Sequence, residues 1–326
     1  MRVLVTGATG FLGGALVRRL VHDRVAVVAT GRNVAALEAL PLTERDRFAW
    51  DLASPADGAL QEVLGGVTTI VHCAALSSAW GPAADFRRAN VHGTRHCLDL
   101  AKRLGVEHFV HLSTPAVYFR FQDQIGVTED QALPEPVNAY ARTKALAEAC
   151  VRQGAVPWTI IRPRGIYGVG DTALLPRLLR AARSGPLPRL RGGIARTDLT
   201  HVEDVVDAIV ATLAVGRDAA GMVFNVSGGE ALPIETIVER ACAANGVDAR
   251  WRDLPIGPTL AAVRTNEWIA RLCGRRTEPR ITAYGLGVFA YSQTLDISKA
   301  RAVLGWTPRI TFAEGLTRTF GRGGGA

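Results

Sequence analysis

Lysine is nearly absent from this 326-residue sequence. Of its 38 basic residues, 3 are lysines and the other 35 are arginines. The arginines are spread along the whole chain and form no basic stripe interleaved with aromatic residues, the pattern typical of a nucleic-acid surface. The net charge of +8 therefore does not predict a nucleic-acid partner.

Long apolar runs and paired cysteines are missing as well. No apolar run reaches the roughly 18 to 20 residues that a membrane span requires, and the first strand begins at Arg2, which leaves no room for a signal peptide. The five cysteines are widely spaced and include no CxxC pair, as expected for reduced structural thiols in a cytoplasm. They are Cys73, Cys97, Cys150, Cys242 and Cys273. We therefore predict a cytoplasmic protein without a membrane span.

The histidines give no metal-binding pattern. His92 and His96 stand four residues apart, but the segment HGTRH lacks the glutamate of a zinc-hydrolase helix. His108 and His111 are an odd number of residues apart on a predicted strand, so their side chains point to opposite faces. No metal site is predicted.

Apolar strand segments alternate with amphipathic helical segments through the first half of the chain. The strand segments are RVLVTG, VAVVATG, TTIVHCAA and HFVHLST; the helical segments are FLGGALVRRL, ADFRRANVHGTRHCLDLAKRL and NAYARTKALAEACVRQ. Strands covered by helices on both faces are apolar throughout, and repeated strand–helix alternation is typical of a parallel sheet. The sequence predicts an α/β protein with a Rossmann-type doubly wound parallel sheet.

The later part of the chain changes character. WTIIRP, HVEDVVDAIVATLA and MVFNVS return to the strand–helix pattern, whereas the segments around them are richer in proline, glycine and short helices. We predict a main domain over residues 1–165 and 195–228 and a smaller, helix-rich substrate lobe over 166–194 and 229–320. Residues 321–326, GRGGGA, are expected to form a flexible tail.

The glycine-rich segment TGATGFLGG directly follows the first strand and opens the first helix. Gly7, Gly10 and Gly13 have the spacing that a dinucleotide pyrophosphate requires: one glycine for the tight turn, one for close approach of backbone N–H groups, and one for close helix packing. Thr9, Phe11 and Leu12 complete this predicted cofactor loop. A glycine triplet alone is a weak signal, but its place between strand and helix makes it specific.

The end of the second strand bears on the choice of cofactor. An NAD site usually places a carboxylate there to bind the ribose 2′-hydroxyl. This chain has VVATGRN, which contains no acid, and Arg32 is positioned to pair with a 2′-phosphate. We therefore predict NADP(H), with NAD(H) as the less favoured alternative.

One of the three lysines stands one helical turn from a tyrosine, in NAYARTKALAEA at Tyr140 and Lys144. A lysine near a tyrosine hydroxyl can serve proton transfer, because its ammonium stabilises the phenolate and lowers the tyrosine pKa from about 10. In isolation this spacing would be unremarkable on a solvated helix. The other motifs of the chain give it meaning.

Those motifs occur in the order of a known family. TGATGFLG, HCAA (72–75), LSTPAVY (112–118), YARTK (140–144) and RPRGIYG (162–168) resemble the extended short-chain dehydrogenase/reductases, and the resemblance covers essentially the whole chain. It implies that Tyr140 is the general acid/base, Lys144 its partner, and Thr114 the hydroxyl that holds the substrate oxygen, with Ser113 beside it. It also implies that Asn90 steadies the site. Further cofactor-binding positions implied by the resemblance are Asp51, Leu52, Ala74, Ala75, Tyr140, Lys144, Pro163 and Ile166.

Within this family the chain is most similar to the branch of 3β-hydroxysteroid dehydrogenases and 2-alkyl-3-oxoalkanoate reductases. Nucleotide-sugar enzymes tend to carry an asparagine where this chain has Gly165, and a basic residue where it has Thr197, although Arg196 is adjacent. The expected function is thus NADPH-dependent reduction of a hydrophobic β-keto acid-like substrate. Residues 255–272 and 284–294 offer apolar surface for it.

Other functions stay open at this point. A steroid dehydrogenase or a polyketide-tailoring ketoreductase would share the same catalytic residues, and a nucleotide-sugar epimerase or dehydratase would share the fold. An NADP-sensing regulator would characteristically lose the Tyr–Lys pair, which this chain retains.

The resemblance also implies a homodimer that pairs through residues 83–104 and 138–152. Apolar positions suggested to face the partner are Phe86, Leu98, Ala145 and Ala149.

Overall fold

A parallel seven-stranded sheet forms the centre of the protein. The computed structural model describes residues 1–57, 60 and 63–321, so all but Gly321 of the expected tail lies outside the described residues. The strands of the sheet, numbered here in chain order, are β1 (Arg2–Thr6), β2 (Ala26–Gly31), β3 (Arg47–Ala49), β4 (Thr69–His72), β5 (His108–Leu112), β6 (Trp158–Pro163) and β7 (Met222–Val226).

The order of these strands in space is β3-β2-β1-β4-β5-β6-β7, and every pairing is parallel. The chain therefore builds outward from β1 in one direction and then, from β4, in the other. Ligands of doubly wound sheets bind at the carboxyl ends of the strands, where the order reverses. The end of β1, followed by the glycine loop, lies at this point.

The helices cover both faces of the sheet. Val3 and Val5 pack in one core cluster with the first helix and with helix Val202–Val215, while Leu4 packs in a second cluster with helix Gly93–Arg103. This two-sided burial explains the apolar strands and confirms the predicted Rossmann-type fold. The helices among the described residues are Phe11–His22, Val34–Glu38, Ala83–Phe86, Gly93–Arg103, Ala139–Gln153, Leu175–Ser184, Val202–Val215, Ile234–Ala243, Ile256–Leu272, Ala283–Ala290, Ser298–Leu304 and Phe312–Phe320.

The expected helix over residues 84–104 is interrupted. A π-helical stretch, Arg87–His92, joins Ala83–Phe86 to Gly93–Arg103. Sequence periodicity does not reveal it, because one wider turn hardly changes which residues are apolar. Such turns are rare and occur frequently at functional sites.

Short strands and helices form the remainder of the chain. A four-stranded sheet has the order Leu232–Pro233, Arg196–Thr197, Gln293–Leu295 and Gln124–Val127; two further strand pairs are Ile166–Tyr167 with Thr200–His201, and Leu187–Leu190 with Trp251–Leu254. Ala300 and Trp306 pack in the same core cluster as β1. The lobe boundaries proposed from the sequence stay a prediction.

None of the helices in the described part of the chain is both long and apolar enough to cross a bilayer.

Candidate active site

The glycine loop after β1 is built so that only glycines fit. Gly7 has φ +66, and a Cβ there would lie 2.7 Å from the backbone of Ala74 at the end of β4. A Cβ on Gly13 would lie 2.2 Å from the carbonyl oxygen of Gly7. The backbone therefore packs against itself here, as a loop that approaches a phosphate group must.

The helix that follows this loop begins with free N–H groups. Gly10 is its N-cap and supplies no side-chain cap, and the first turn, which includes Phe11 and Leu12, contains no acid. Uncapped N–H groups at a helix start attract an anion. Thr9 packs against the end of β2, where a Cβ on Gly31 would lie 2.7 Å from its hydroxyl oxygen. The loop fits a dinucleotide pyrophosphate.

Arg32 follows the last residue of β2 and is exposed. Among the residues that the structure describes, the Arg32 side chain makes no hydrogen bond or ion pair. The neighbouring Asn33 caps the next helix by accepting from Ala36 N at 3.1 Å. The guanidinium is thus available to a ligand at the carboxyl end of β2. Asp51, after β3, accepts a hydrogen bond from Ala53 N at 3.1 Å, and the buried Leu52 accepts one from His96 Nδ1 through its carbonyl at 2.7 Å.

The other predicted cofactor positions lie at neighbouring strand ends. Ala74 is half-buried and Ala75 exposed just after β4. Pro163 ends β6, and Ile166 pairs with Thr200 in the short strand pair that follows. All of these positions lie beyond carboxyl ends of parallel strands, as the glycine loop does.

Tyr140 lies in the first turn of helix Ala139–Gln153, which we call the Tyr140 helix. Asn138 begins this helix by accepting a hydrogen bond from Ala141 N at 2.8 Å. Burial raises the pKa of Tyr140 above its ordinary value of 10, and hydrogen bonds with Thr114 and Ser77 oppose this rise. Thr114, after β5, therefore lies close to Tyr140, and its role as the hydroxyl that holds the substrate oxygen stays a prediction. The contact from Ser77 was not predicted.

Lys144 is buried one turn further along the Tyr140 helix. Its Nζ donates to Leu112 O at 2.5 Å and lies 3.3 Å from His111 Nε2. Burial lowers the pKa of Lys144 to about 8, an effect that the Glu148 charge opposes, so the side chain is still mostly charged at neutral pH.

The expected lowering of the tyrosine pKa by this lysine is not found. Burial dominates the pKa of Tyr140, and the Lys144 ammonium is directed to the end of β5. The consequence is that Tyr140 holds its proton at neutral pH. A protonated phenol suits the role of proton donor.

Two histidines lie behind Lys144. His111 stacks on His72 of the adjacent strand with ring centroids 5.4 Å apart. His72 is hydrogen-bonded to Thr6 Oγ1 at 2.8 Å and to Thr94 Oγ1 at 3.0 Å. Burial lowers the pKa of His72 to about 3 and that of His111 well below its ordinary value, so both are neutral. Among Lys144, His111 and His72, Lys144 is therefore the one that carries a charge at neutral pH.

A buried ion pair continues the same face of the Tyr140 helix. Glu148, four residues after Lys144, accepts from Arg162 Nε at 2.8 Å and from Ser113 Oγ at 2.6 Å. Arg162 also donates to the Tyr118 hydroxyl, and its guanidinium lies over the Tyr118 ring. Sequence analysis missed this network, although the spacing of residues 140, 144 and 148 was a signal for one helix face.

The π-helical turn places Asn90 between the β4 loop and the Tyr140 helix. Its Oδ1 accepts from Leu76 N at 2.7 Å, and its Nδ2 donates to Leu76 O at 3.2 Å and to Thr143 Oγ1 at 3.0 Å. Leu76 is next to Ser77 in the chain and Thr143 is next to Lys144. Asn90 therefore joins two of the segments that surround the Tyr140 hydroxyl.

Tyr284, Phe119 and Phe121 form an aromatic wall. Tyr284, in helix Ala283–Ala290, packs edge-on against Phe119 with centroids 5.0 Å apart, and Phe119 packs edge-on against Phe121 at 5.4 Å. Burial raises the pKa of Tyr284, which the charge of Arg164 lowers and that of Tyr140 raises further, so Tyr284 lies within electrostatic range of the candidate proton donor. Its distance from Tyr140 along the chain hid this neighbour from sequence analysis.

A model of the NAD dependent epimerase/dehydratase family matches residues 3–227, which include the glycine loop, the Tyr140 helix and, apart from Arg2 at the start of β1, the whole main sheet. The 2-alkyl-3-oxoalkanoate reductase of Stenotrophomonas maltophilia (strain K279a) is 31% identical over 339 residues, covering 98% of each chain. The 4-hydroxy-2-methyl-3-oxo-4-farnesyl-3,4-dihydroquinoline-1-oxide ketoreductase of Stigmatella aurantiaca is 32% identical over 323 residues, covering 97% of this chain and 95% of the relative.

A solved structure of similar shape is that of DesIV, the dTDP-glucose 4,6-dehydratase from Streptomyces venezuelae, with NAD bound. Its chain is 27% identical, with a TM-score of 0.75 and coverage of 98% of this chain and 96% of that one.

Proposed function

This chain belongs to the NAD dependent epimerase/dehydratase family, is an extended short-chain dehydrogenase/reductase and an oxidoreductase, and from this premise we propose that it is an NADPH-dependent ketone reductase. Its proposed substrate is a hydrophobic β-keto acid-like compound. The observation that carries the proposal is the position of Tyr140 one helical turn before the buried Lys144, whose Nζ donates to Leu112 O, two residues before Thr114.

The residues of this site divide the work of ketone reduction. When bound, the reduced nicotinamide supplies the hydride that the carbonyl carbon accepts. Tyr140 donates its phenolic proton to the carbonyl oxygen, and the Thr114 hydroxyl donates a hydrogen bond to the same oxygen. Lys144, charged at neutral pH, stabilises the phenolate that Tyr140 becomes.

The cofactor is proposed to lie across the carboxyl ends of the strands. The loop of Gly7, Gly10 and Gly13 would hold the pyrophosphate, and Arg32 the 2′-phosphate of the adenosine half. Further proposed contacts are made by Thr9, Phe11, Leu12, Asp51, Leu52, Ala74, Ala75, Tyr140, Lys144, Pro163 and Ile166.

The substrate class follows from the surroundings of Tyr140. The half-buried Tyr284 and Phe121, which pack on the buried Phe119, offer aromatic surface to an apolar chain, and two relatives are named as reductases of a keto compound. A nucleotide sugar fits these surroundings less well. A Cβ at Gly165 would lie 2.5 Å from Leu199 Cδ2, and Thr197 already accepts hydrogen bonds from the buried Arg164 at 2.8 and 3.1 Å.

A substrate screen tests this proposal directly. Purified protein is given NADPH with a series of β-keto acids, 3-ketosteroids and nucleotide sugars, and absorbance at the NADPH wavelength is followed. We expect turnover with β-keto acids that carry long alkyl chains. A protein that converts only nucleotide sugars, or that binds NADPH but turns over no carbonyl compound, contradicts the proposal.

Cofactor choice gives a separate prediction. NADPH should bind about 10-fold or more tightly than NADH, because the 2′-phosphate forms a charge-assisted pair with Arg32. In Arg32→Ala this preference should largely disappear, as measured by fluorescence titration with both cofactors. The control is Arg45→Ala, which removes an exposed arginine from the short 3₁₀ helix before β3. Equal affinities of the two cofactors for the wild type would refute the role of Arg32.

We also propose a homodimer that pairs through residues 83–104 and 138–152. One residue suggested for the interface must be corrected: Phe86 is buried inside the protomer with 1% exposure and cannot face a partner. Leu98, Ala145 and Ala149 are half-buried, and Leu146 is exposed. Light scattering at micromolar concentration should give twice the protomer mass, and Leu146→Glu should give a single protomer mass. A wild-type monomer contradicts this proposal.

A further inference from the structure

Helix Ile256–Leu272 presents an apolar face to solvent. Trp268 is 62% exposed, Ile269 49% and Leu272 67%. Residues 268 and 272 lie one turn apart on the same face, and 269 is adjacent to them. Large side chains of this kind are usually covered, and a cluster of them marks an interaction surface.

Arginines surround this apolar face. Within the 17 residues 264–280, five are arginines, against 35 arginines in the whole chain of 326. All five are exposed; they are Arg264, Arg271, Arg275, Arg276 and Arg280. The exposed Ile281 continues the surface. We call the exposed residues of 264–281 the arginine–tryptophan surface.

Acidic residues do little to neutralise this charge. The segment contains two, Glu267 and Glu278. Glu267 is buried and accepts a hydrogen bond from Ala283 N at 2.7 Å, although Arg271 also approaches it at 3.7 Å, and Glu278 is paired with Arg177 from another helix. The surface therefore combines apolar side chains with an excess of positive charge.

We propose that the arginine–tryptophan surface docks on an anionic lipid surface. A helix that lies at a bilayer interface has basic residues on its flanks and tryptophan or leucine on its buried face. Each arginine near an anionic leaflet contributes to the attraction. A second copy of this chain is a poor occupant, because a two-fold contact through this face would bring its arginines against each other.

The position of the surface connects it to the site. Leu260 and Val263, on the inner side of the same helix, pack in a cluster with Leu286 and Ala290 of the helix that carries Tyr284. Trp80, which follows the loop that contains Ser77, donates to Arg275 O at 3.1 Å. Docking would thus bring the candidate active site close to the lipid, where an apolar substrate is concentrated. This consequence for the substrate rests on the proposed function, whereas the docking itself does not.

Vesicle co-sedimentation of the full chain tests the proposal. The probes are vesicles of phosphatidylcholine alone and of phosphatidylcholine mixed with phosphatidylglycerol. We expect binding to the mixed vesicles, weakened by added salt, and little binding to neutral ones. The double variant Trp268→Ser/Leu272→Ser should bind the mixed vesicles at least about 10-fold more weakly than the wild type, because each lost side chain removes apolar burial.

Two further variants separate the contributions. Arg275→Glu/Arg276→Glu should abolish the preference for anionic vesicles. Ile125→Ser, at an equally exposed apolar residue of strand Gln124–Val127, outside the arginine–tryptophan surface, should bind like the wild type. All substituted side chains are exposed, so the variants should keep the wild-type circular dichroism spectrum.

Three results would overturn the proposal. The first is that the wild type does not sediment with the mixed vesicles at all, and the second is that Ile125→Ser loses as much binding as Trp268→Ser/Leu272→Ser does. The third result is that Arg275→Glu/Arg276→Glu changes the self-association of the chain but leaves its vesicle binding unchanged. Sedimentation involves no turnover, so failure here leaves the proposed reductase activity untouched. Loss of reductase activity in Tyr140→Phe would likewise leave vesicle binding unchanged.

Discussion

Replacing Tyr140 with phenylalanine should lower kcat for the cognate ketone by about 10²- to 10⁴-fold, the usual contribution of a positioned proton donor. The change removes only the hydroxyl that meets Thr114 and Ser77. The affinity for NADPH should therefore stay near that of the wild type. Steady-state kinetics and a fluorescence titration of NADPH give the two quantities.

Tyr291→Phe is the matched control, since it deletes a phenolic hydroxyl elsewhere in the chain, after helix Ala283–Ala290, while its ring, which packs against Arg191, is retained. Its kcat should equal that of the wild type. Lys144→Arg should restore little of the activity that Lys144→Ala loses, because a planar guanidinium does not fit the compact buried site. Near-wild-type turnover by Tyr140→Phe would mean that the proton comes from another group.

Replacing Glu148 with alanine should lower the free energy of unfolding by about 3 to 5 kcal/mol, the usual effect of removing one partner of a buried ion pair. Arg162 would keep its charge in the interior, with the Tyr118 hydroxyl as its remaining side-chain partner. Urea denaturation followed by circular dichroism measures the change. Glu135→Ala is the control, because Glu135 forms an exposed pair with Arg142 at 2.8 Å and should cost less than about 1 kcal/mol.

The same ion pair predicts a pH dependence of stability. Burial alone would raise the pKa of Glu148, but the hydrogen bond and charge of Arg162 and the hydrogen bond of Ser113 hold it below its ordinary value of 4.5. The folded-state pKa is therefore lower than the unfolded-state pKa, so the stabilisation is present above pH 4.5 and is lost as pH falls below it. In Glu148→Ala this part of the acid dependence should vanish. An unchanged acid dependence in the variant would assign it to other carboxylates.

Local patterns were enough to predict the sheet and the glycine loop. The strands are apolar because helices cover both their faces, and Gly13 is required by a backbone contact with Gly7, six residues earlier. The common helix face of Tyr140 and Lys144 could be predicted for the same reason, since four residues of helix fix it.

Features that depend on distant segments escaped sequence analysis. The Glu148–Arg162 pair joins a helix to β6, and Tyr284 reaches Tyr140 only through the packing of the C-terminal part of the chain. The pKa of Tyr140 was expected to fall, but burial, which no short motif encodes, raises it.

Transfer of deuterium from labelled cofactor tests the central claim most directly. The wild-type protein is incubated with a long-chain β-keto acid and NADPH that carries deuterium at the transferable position, and the product is analysed by mass spectrometry. We predict a β-hydroxy acid with one deuterium on the carbinol carbon, formed much more slowly by Tyr140→Phe. Product without deuterium, or no product from any ketone while a nucleotide sugar is epimerised without net consumption of NADPH, would contradict the claim.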